Sequence, residues 1–136
     1  MNNAKAERTG HDGNGGMLLY IVDDEPMLLE LASAILGSLG YRIVTFRSPE
    51  LALSAYEAAD PKPALIISDF AMHAMTGLQL TEACRRLRPD QKVLMVSGTV
   101  ALEIYESAPV RPNRLLLKPY QTKDLIEAVE SVLAGQ

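Results

Sequence analysis

Beyond residue 16 the chain alternates between short apolar runs and longer stretches whose apolar residues recur every three or four positions. Met17 to Val22 is almost unbroken in apolar character, the pattern of a strand covered on both faces. Pro26 suits a first helical turn, and Leu28, Leu31, Ala32, Ile35 and Leu39 follow at helical spacing until Gly40 stops them. Tyr41 to Phe46, rich in β-branched and aromatic side chains, predicts a second strand. Ser48 and Pro49 open a helix that runs to about Ala59, where Asp60, Pro61 and Pro63 break it.

The alternation continues to the end of the chain. Ala64 to Ser68 predicts a third strand, followed by a loop from Asp69 to Thr76. A helix is expected from Gly77 to Arg88, with Leu80, Ala83, Cys84 and Leu87 as its buried stripe. Lys92 to Val96 predicts the fourth strand, Val100 to Ser107 a short helix crowded at its exit by Pro109 and Pro112, and Arg114 to Leu117 the fifth strand. A final helix is expected with Thr122 as its N-cap and Leu125, Ile126, Val129 and Leu133 facing inward. Five strands alternating with five helices predict an α/β domain with one parallel sheet covered on both faces. Ligands of such sheets bind at the carboxyl ends of the strands.

Composition narrows the class. The 136 residues carry 13 basic and 17 acidic side chains, a formal charge of −4. That balance, with His11 and His73 as the histidines, argues against a nucleic-acid surface or a histidine metal cluster. The single Cys84 excludes an internal disulfide and a cysteine zinc site. No run approaches ~18 apolar residues and the start is polar, so neither a membrane span nor a secretory signal is expected. Residues 1–16 include Gly10, Gly13, Gly15 and Gly16 and almost no large apolar side chain, which predicts a disordered tail before a domain over 17–136. The glycines there do not form a phosphate-binding loop, because no strand precedes them and no Gly-Lys-Ser/Thr follows. A soluble, cytoplasmic single domain is the expectation.

The polar residues that end the apolar runs carry the candidate chemistry. The first strand ends in Asp23 and Asp24, the third in Asp69, the fourth in Ser97 and the fifth in Lys118. Three carboxylates, a hydroxyl and an ammonium are thereby expected along one edge of the sheet. Clustered carboxylates repel one another unless a cation intervenes, and few protein oxygens with several waters suit Mg²⁺. Mg²⁺ with open positions favours phosphoryl chemistry, in which one carboxylate can act as nucleophile. Each piece also has an ordinary reading: Asp23-Asp24-Glu25 as favourable charge at a helix N-terminus, Asp69 as a loop opener, Ser97-Gly98 as a turn. Cys84 reads as a small core residue, and Arg85, Arg86, Arg88 and Lys92 as a solvated helix end.

Together these pieces resemble a receiver domain of two-component response regulators, from about Met17 to Leu133. The resemblance rests on Tyr20-Ile-Val-Asp-Asp-Glu25, on Leu65-Ile-Ile-Ser-Asp69 with Met72, Met75 and Gly77, on Val96-Ser97-Gly98, and on Lys118-Pro119. It implies the flavodoxin-like strand order 2-1-3-4-5. It implies that Asp69 accepts a phosphoryl group from the phosphohistidine of a histidine kinase or phosphotransfer protein. Asp24, Asp69 and the backbone carbonyl of Ala71 would bind Mg²⁺ directly, and Asp23 mostly through a water. Ser97 would follow the phosphoryl group, and Lys118 would pair with Asp69 before transfer and with the phosphoryl group after it. Such a domain is a signalling switch that catalyses only its own phosphorylation and dephosphorylation. It meets a downstream protein through the face made by the fourth helix, fifth strand and fifth helix. Because the chain stops with the last helix, a stand-alone regulator is expected.

Four positions depart from the family pattern. His73 replaces a proline that would stiffen the loop after Asp69. Leu115 stands three residues before the lysine where an aromatic ring is usual, so an aromatic ring flip cannot be the switch, though a shift of the helix after Ser97 still could. Ala71 offers no side chain to orient an attacking water, which leaves Thr99 for that task and predicts a long-lived phosphoryl group. The prolines between Ala108 and Asn113 reshape the fourth-helix face. His73, Leu115 and the proline-broken fourth helix support one competing reading, a degenerate receiver that binds partners without phosphorylation; the retained Asp23, Asp24, Asp69, Ser97 and Lys118 argue against it. A phosphatase with an aspartate nucleophile would want a second aspartate at position 71, where alanine stands.

Overall fold

A computed structural model describes residues 16–98 and 102–135. Except for Gly16, the expected tail lies outside the described residues, as do Thr99 and Val100. Five strands and five helices alternate: β1 (Leu18–Val22), α1 (Pro26–Gly37), β2 (Arg42–Phe46), α2 (Pro49–Ala58), β3 (Leu65–Asp69), α3 (Gly77–Leu87), β4 (Val93–Ser97), α4 (Leu102–Ser107), β5 (Arg114–Leu117) and α5 (Thr122–Leu133). The strands form one parallel sheet in the order β2-β1-β3-β4-β5.

Strand alternation divides the core in two. Leu19 and Ile21 of β1 face α1 and α5, where they meet Leu29, Leu36, Leu125 and Val129. Tyr20 and Val22 point the other way, toward Ala52 and Tyr56 of α2, Leu80 and Cys84 of α3, and Tyr105 of α4. Every residue of β3 and β4 is buried, as the unbroken apolar runs require. Each fully buried leucine or valine stabilises the fold by about 1.5–3 kcal/mol. β2 lies at one edge and is largely exposed or half-buried. No helix among the described residues is long and apolar enough to cross a membrane.

Helix starts follow their capping chemistry. Ser48 Oγ accepts from the Leu51 amide at 3.2 Å and opens α2. Thr76 and Gln79 form a reciprocal box before α3: the Gln79 amide donates to Thr76 Oγ1 at 3.2 Å and the Thr76 amide to Gln79 Oε1 at 2.8 Å. α5 departs from expectation by one residue. Gln121 is its N-cap and Thr122 lies inside the helix, because Asp124 Oδ2 accepts from the Gln121 amide.

Three other sequence readings are corrected. The buried stripe of α1 is Leu29, Ala32 and Leu36, while Leu31 is exposed. Leu87 at the end of α3 is exposed too. Arg85 is not a merely solvated charge: it donates to Gln91 O at 3.0 Å, to Arg111 O at 2.6 Å and to Asn113 Oδ1 at 2.9 Å. Asn113 Oδ1 also accepts from the Val93 amide, so this arginine fastens the proline-containing stretch to the start of β4. Cys84 is a core residue as expected, with burial pushing its thiol up to about 12.

Candidate functional site

The ladder bonds of the sheet continue into the polar residues and fix them in a row. The Asp23 amide donates to Phe46 O at 3.1 Å, the Phe70 amide to Val96 O at 2.9 Å, and the Lys118 amide to Ser97 O at 2.8 Å. β1 is thus held one residue beyond Val22, which sets Asp23 at the sheet edge. Its Oδ1 accepts from the Glu25 amide at 2.9 Å as the chain turns into α1. Asp69 closes β3, and the loop after it is pinned where the Gly77 amide donates to Phe70 O at 2.8 Å.

Asp23, Asp24 and Asp69 each bring a carboxylate oxygen within 4.8 Å of the others. Asp23 and Asp69 are both buried, and Asp24 is half-buried. Lys118 Nζ stands 3.0 Å from Asp69 Oδ1 and 3.7 Å from Asp23 Oδ2. Burial is the main cause that pushes the Asp23 carboxyl above its ordinary range; the Glu25 amide and Lys118 oppose it, and Asp69 and Asp24 add to it. Burial likewise raises Asp69, against the pull of Lys118. For Lys118, burial disfavours the charge, but the hydrogen bond to Asp69 and the field of Asp23 overcome it and raise its pKa. One ammonium faces three carboxylates, so the pocket keeps an unbalanced negative charge. An all-oxygen donor set of that charge fits a hard divalent cation.

The remaining predicted residues fall around this pocket. Ser97 is buried at the end of β4, beside the Asp69–Val96 register pair. Ala71 is exposed in the loop two residues past Asp69. His73 is almost wholly exposed, with Nδ1 3.9 Å from Asp24 Oδ2, and so lies on the rim. Leu115 is half-buried against the cluster that holds Phe70 and Tyr105. Thr99 lies outside the described residues.

Two residues of this neighbourhood were not singled out by the sequence. Tyr120, half-buried, has its phenol raised by burial first; Lys118 opposes that rise, and the Asp23 and Asp69 carboxylates add to it. Its position just after Lys118-Pro119 was an available signal. Tyr105 on α4 is buried against Phe70, and nothing in the local sequence marks it.

Residues 19–130 match the response regulator receiver domain family. The response regulator receiver protein CpdR of Brucella abortus (strain 2308) is 32% identical over 119 residues, covering 85% of this chain and 95% of that protein. A receiver domain protein (CheY-like) from Methanospirillum hungatei JF-1 superimposes with a TM-score of 0.76 at 26% identity, covering 87% of this chain and 94% of that one. The response regulator TrrA of Thermotoga maritima, solved in complex with Mg²⁺ and BeF, shares the fold with a TM-score of 0.75 at 24% identity, over 85% of this chain and 98% of that one. With its sheet order, its row of strand-end carboxylates and most of its length accounted for, the chain belongs to the response regulator receiver domain family of two-component signalling.

Proposed function

We propose that this chain is a phosphoryl-accepting switch, in which Asp69 takes the group from a phosphohistidine of a sensor histidine kinase or phosphotransfer protein. The support is geometric: Lys118 Nζ lies 3.0 Å from Asp69 Oδ1 inside a cluster of three carboxylates. An oxygen of the Asp69 carboxylate forms a bond to phosphorus as the P–N bond of the phosphohistidine breaks. The imidazole nitrogen leaves with the electron pair and takes up a proton from water. Asp24, Asp69 and the backbone carbonyl of Ala71 would hold Mg²⁺, with Asp23 acting through a water. The ion supplies charge neutralisation and orientation at the phosphoryl oxygens. Lys118 turns from Asp69 Oδ1 to one phosphoryl oxygen, and the Ser97 hydroxyl donates to another.

The added charge then biases the α4–β5–α5 face, where Ile104 and Leu117 stand exposed for a downstream protein. The receiver unit is taken as residues 17–136. A phosphorylation-independent binding module is the weaker reading, because the carboxylates, hydroxyl and lysine are all retained around one pocket.

The test is an amide NMR titration with beryllofluoride and Mg²⁺. Shifts are expected around Asp69, Ser97 and Lys118, and none in Asp69→Asn. A wild-type spectrum that does not respond would overturn the proposal.

A further inference from the structure

Tyr105 of α4 is buried next to the residue that follows Asp69. Its ring packs against Phe70, the residue after Asp69, with centroids 5.6 Å apart and planes tilted by 56°. The residue is only 7% exposed, and its Oη is buried without a hydrogen-bond partner, the one side-chain polar atom so placed among the described residues. A buried hydroxyl without a partner is costly, and phenylalanine would fill the same space without that cost. Burial raises the phenol pKa, the neighbouring Ser97 hydroxyl opposes that rise, and the Asp69 carboxylate adds to it. The hydroxyl therefore faces the groups at which phosphoryl transfer would act, and its hydrogen-bonding capacity is unused.

With Asp69 as phosphoacceptor, the reading on which this rests, we propose that Tyr105 is a positioning residue through which α4 senses the state of Asp69. When the Ser97 O–H donates to a phosphoryl oxygen, Ser97 Oγ accepts from the Tyr105 O–H. The two bonds polarise each other and hold α4 in a second placement. No covalent bond changes in this step. The ring stays against Phe70 while the hydroxyl gains its partner.

The experiment uses the full chain labelled with ¹⁵N and with ¹³C in the tyrosine rings, titrated with beryllofluoride and Mg²⁺. The Tyr105 ring ¹³Cζ resonance is expected to move, together with the amides of Ile104 to Ala108. In Tyr105→Phe the shifts near Asp69 should persist, those of α4 should fall at least twofold, and thermal stability should not drop. If Asp69 responds while the Tyr105 ring resonance stays still and Tyr105→Phe keeps full α4 shifts, the role of Tyr105 is overturned and the phosphoacceptor survives. A wild-type protein silent at Asp69 overturns both. Should Tyr105→Phe fail to fold, the wild-type ring resonance decides alone.

Discussion

Gly77 lies hard against Asp69: a Cβ at residue 77 would stand 2.5 Å from the Asp69 carbonyl oxygen and would also strike Met95 Sδ. Met95 can swing aside, but the Asp69 backbone belongs to a buried central strand and cannot. Gly77→Ala is therefore expected to destabilise the protein by about 1–3 kcal/mol and to weaken beryllofluoride binding by displacing Asp69. Gly37→Ala, where a Cβ meets nothing within 4 Å, is the control and should do neither. Urea unfolding and the beryllofluoride titration check both; equal behaviour of the two variants would contradict the packing argument.

The raised carboxyls of Asp23 and Asp69 set a pH dependence. A carboxyl whose folded pKa is raised favours the folded state while protonated. Its contribution is complete below the unfolded value and is lost as pH rises through the folded one. Without Mg²⁺, these two groups should make stability fall from about pH 4 upward. Asp23→Asn keeps an acceptor for the Glu25 amide but removes one repelling charge. It should be more stable than wild type at pH 7 by about 1–2 kcal/mol and equal to it near pH 4. Mg²⁺ should raise the wild-type melting temperature by more than that of the variant, which keeps Asp24 and Asp69 but has lost one carboxylate charge. Melting curves at several pH values, with and without the ion, measure this.

Ala71 is exposed beside the proposed phosphoacceptor and carries no group that could align a water. The acyl phosphate should decay slowly, and Ala71→Asn should shorten its lifetime by roughly tenfold. Decay of the labelled phosphoprotein gives the number directly. An unchanged rate would remove position 71 from the hydrolytic step.

Ala74 sits at φ +70°, a left-handed conformation that disfavours any residue with a Cβ. Ala74→Gly should relieve it and stabilise the protein by about 0.5–1 kcal/mol, after the greater chain entropy of glycine is offset. Urea midpoints decide; a destabilised glycine variant would mean that the loop does not hold this conformation in solution.

The order of elements was legible because buried parallel strands are written as unbroken apolar runs and the helices as periodic ones. The pocket was legible for a related reason: Asp23, Asp24, Asp69, Ser97 and Lys118 each stand where an apolar run stops. The facing of α1 was not. Met27, Leu28, Leu29, Leu31, Ala32, Ile35 and Leu36 are apolar on nearly every side, so its period does not say which stripe the sheet will cover. Arg85 and Tyr105 were missed because their partners are set by tertiary structure. Arg85 bonds residues 26 and 28 positions away, and Tyr105 packs on Phe70, in the loop after β3.

The seating of α4 has its own consequence. α1, α3 and α5, at eleven or twelve residues, bring broad apolar stripes to the sheet and act as ballast. Among the described side chains of α4, Tyr105 is buried while Ile104, Glu106 and Ser107 are exposed. In the proposed switch that ring is the fulcrum, so a change of one hydrogen bond at its hydroxyl would be felt at the exposed Ile104 beside it.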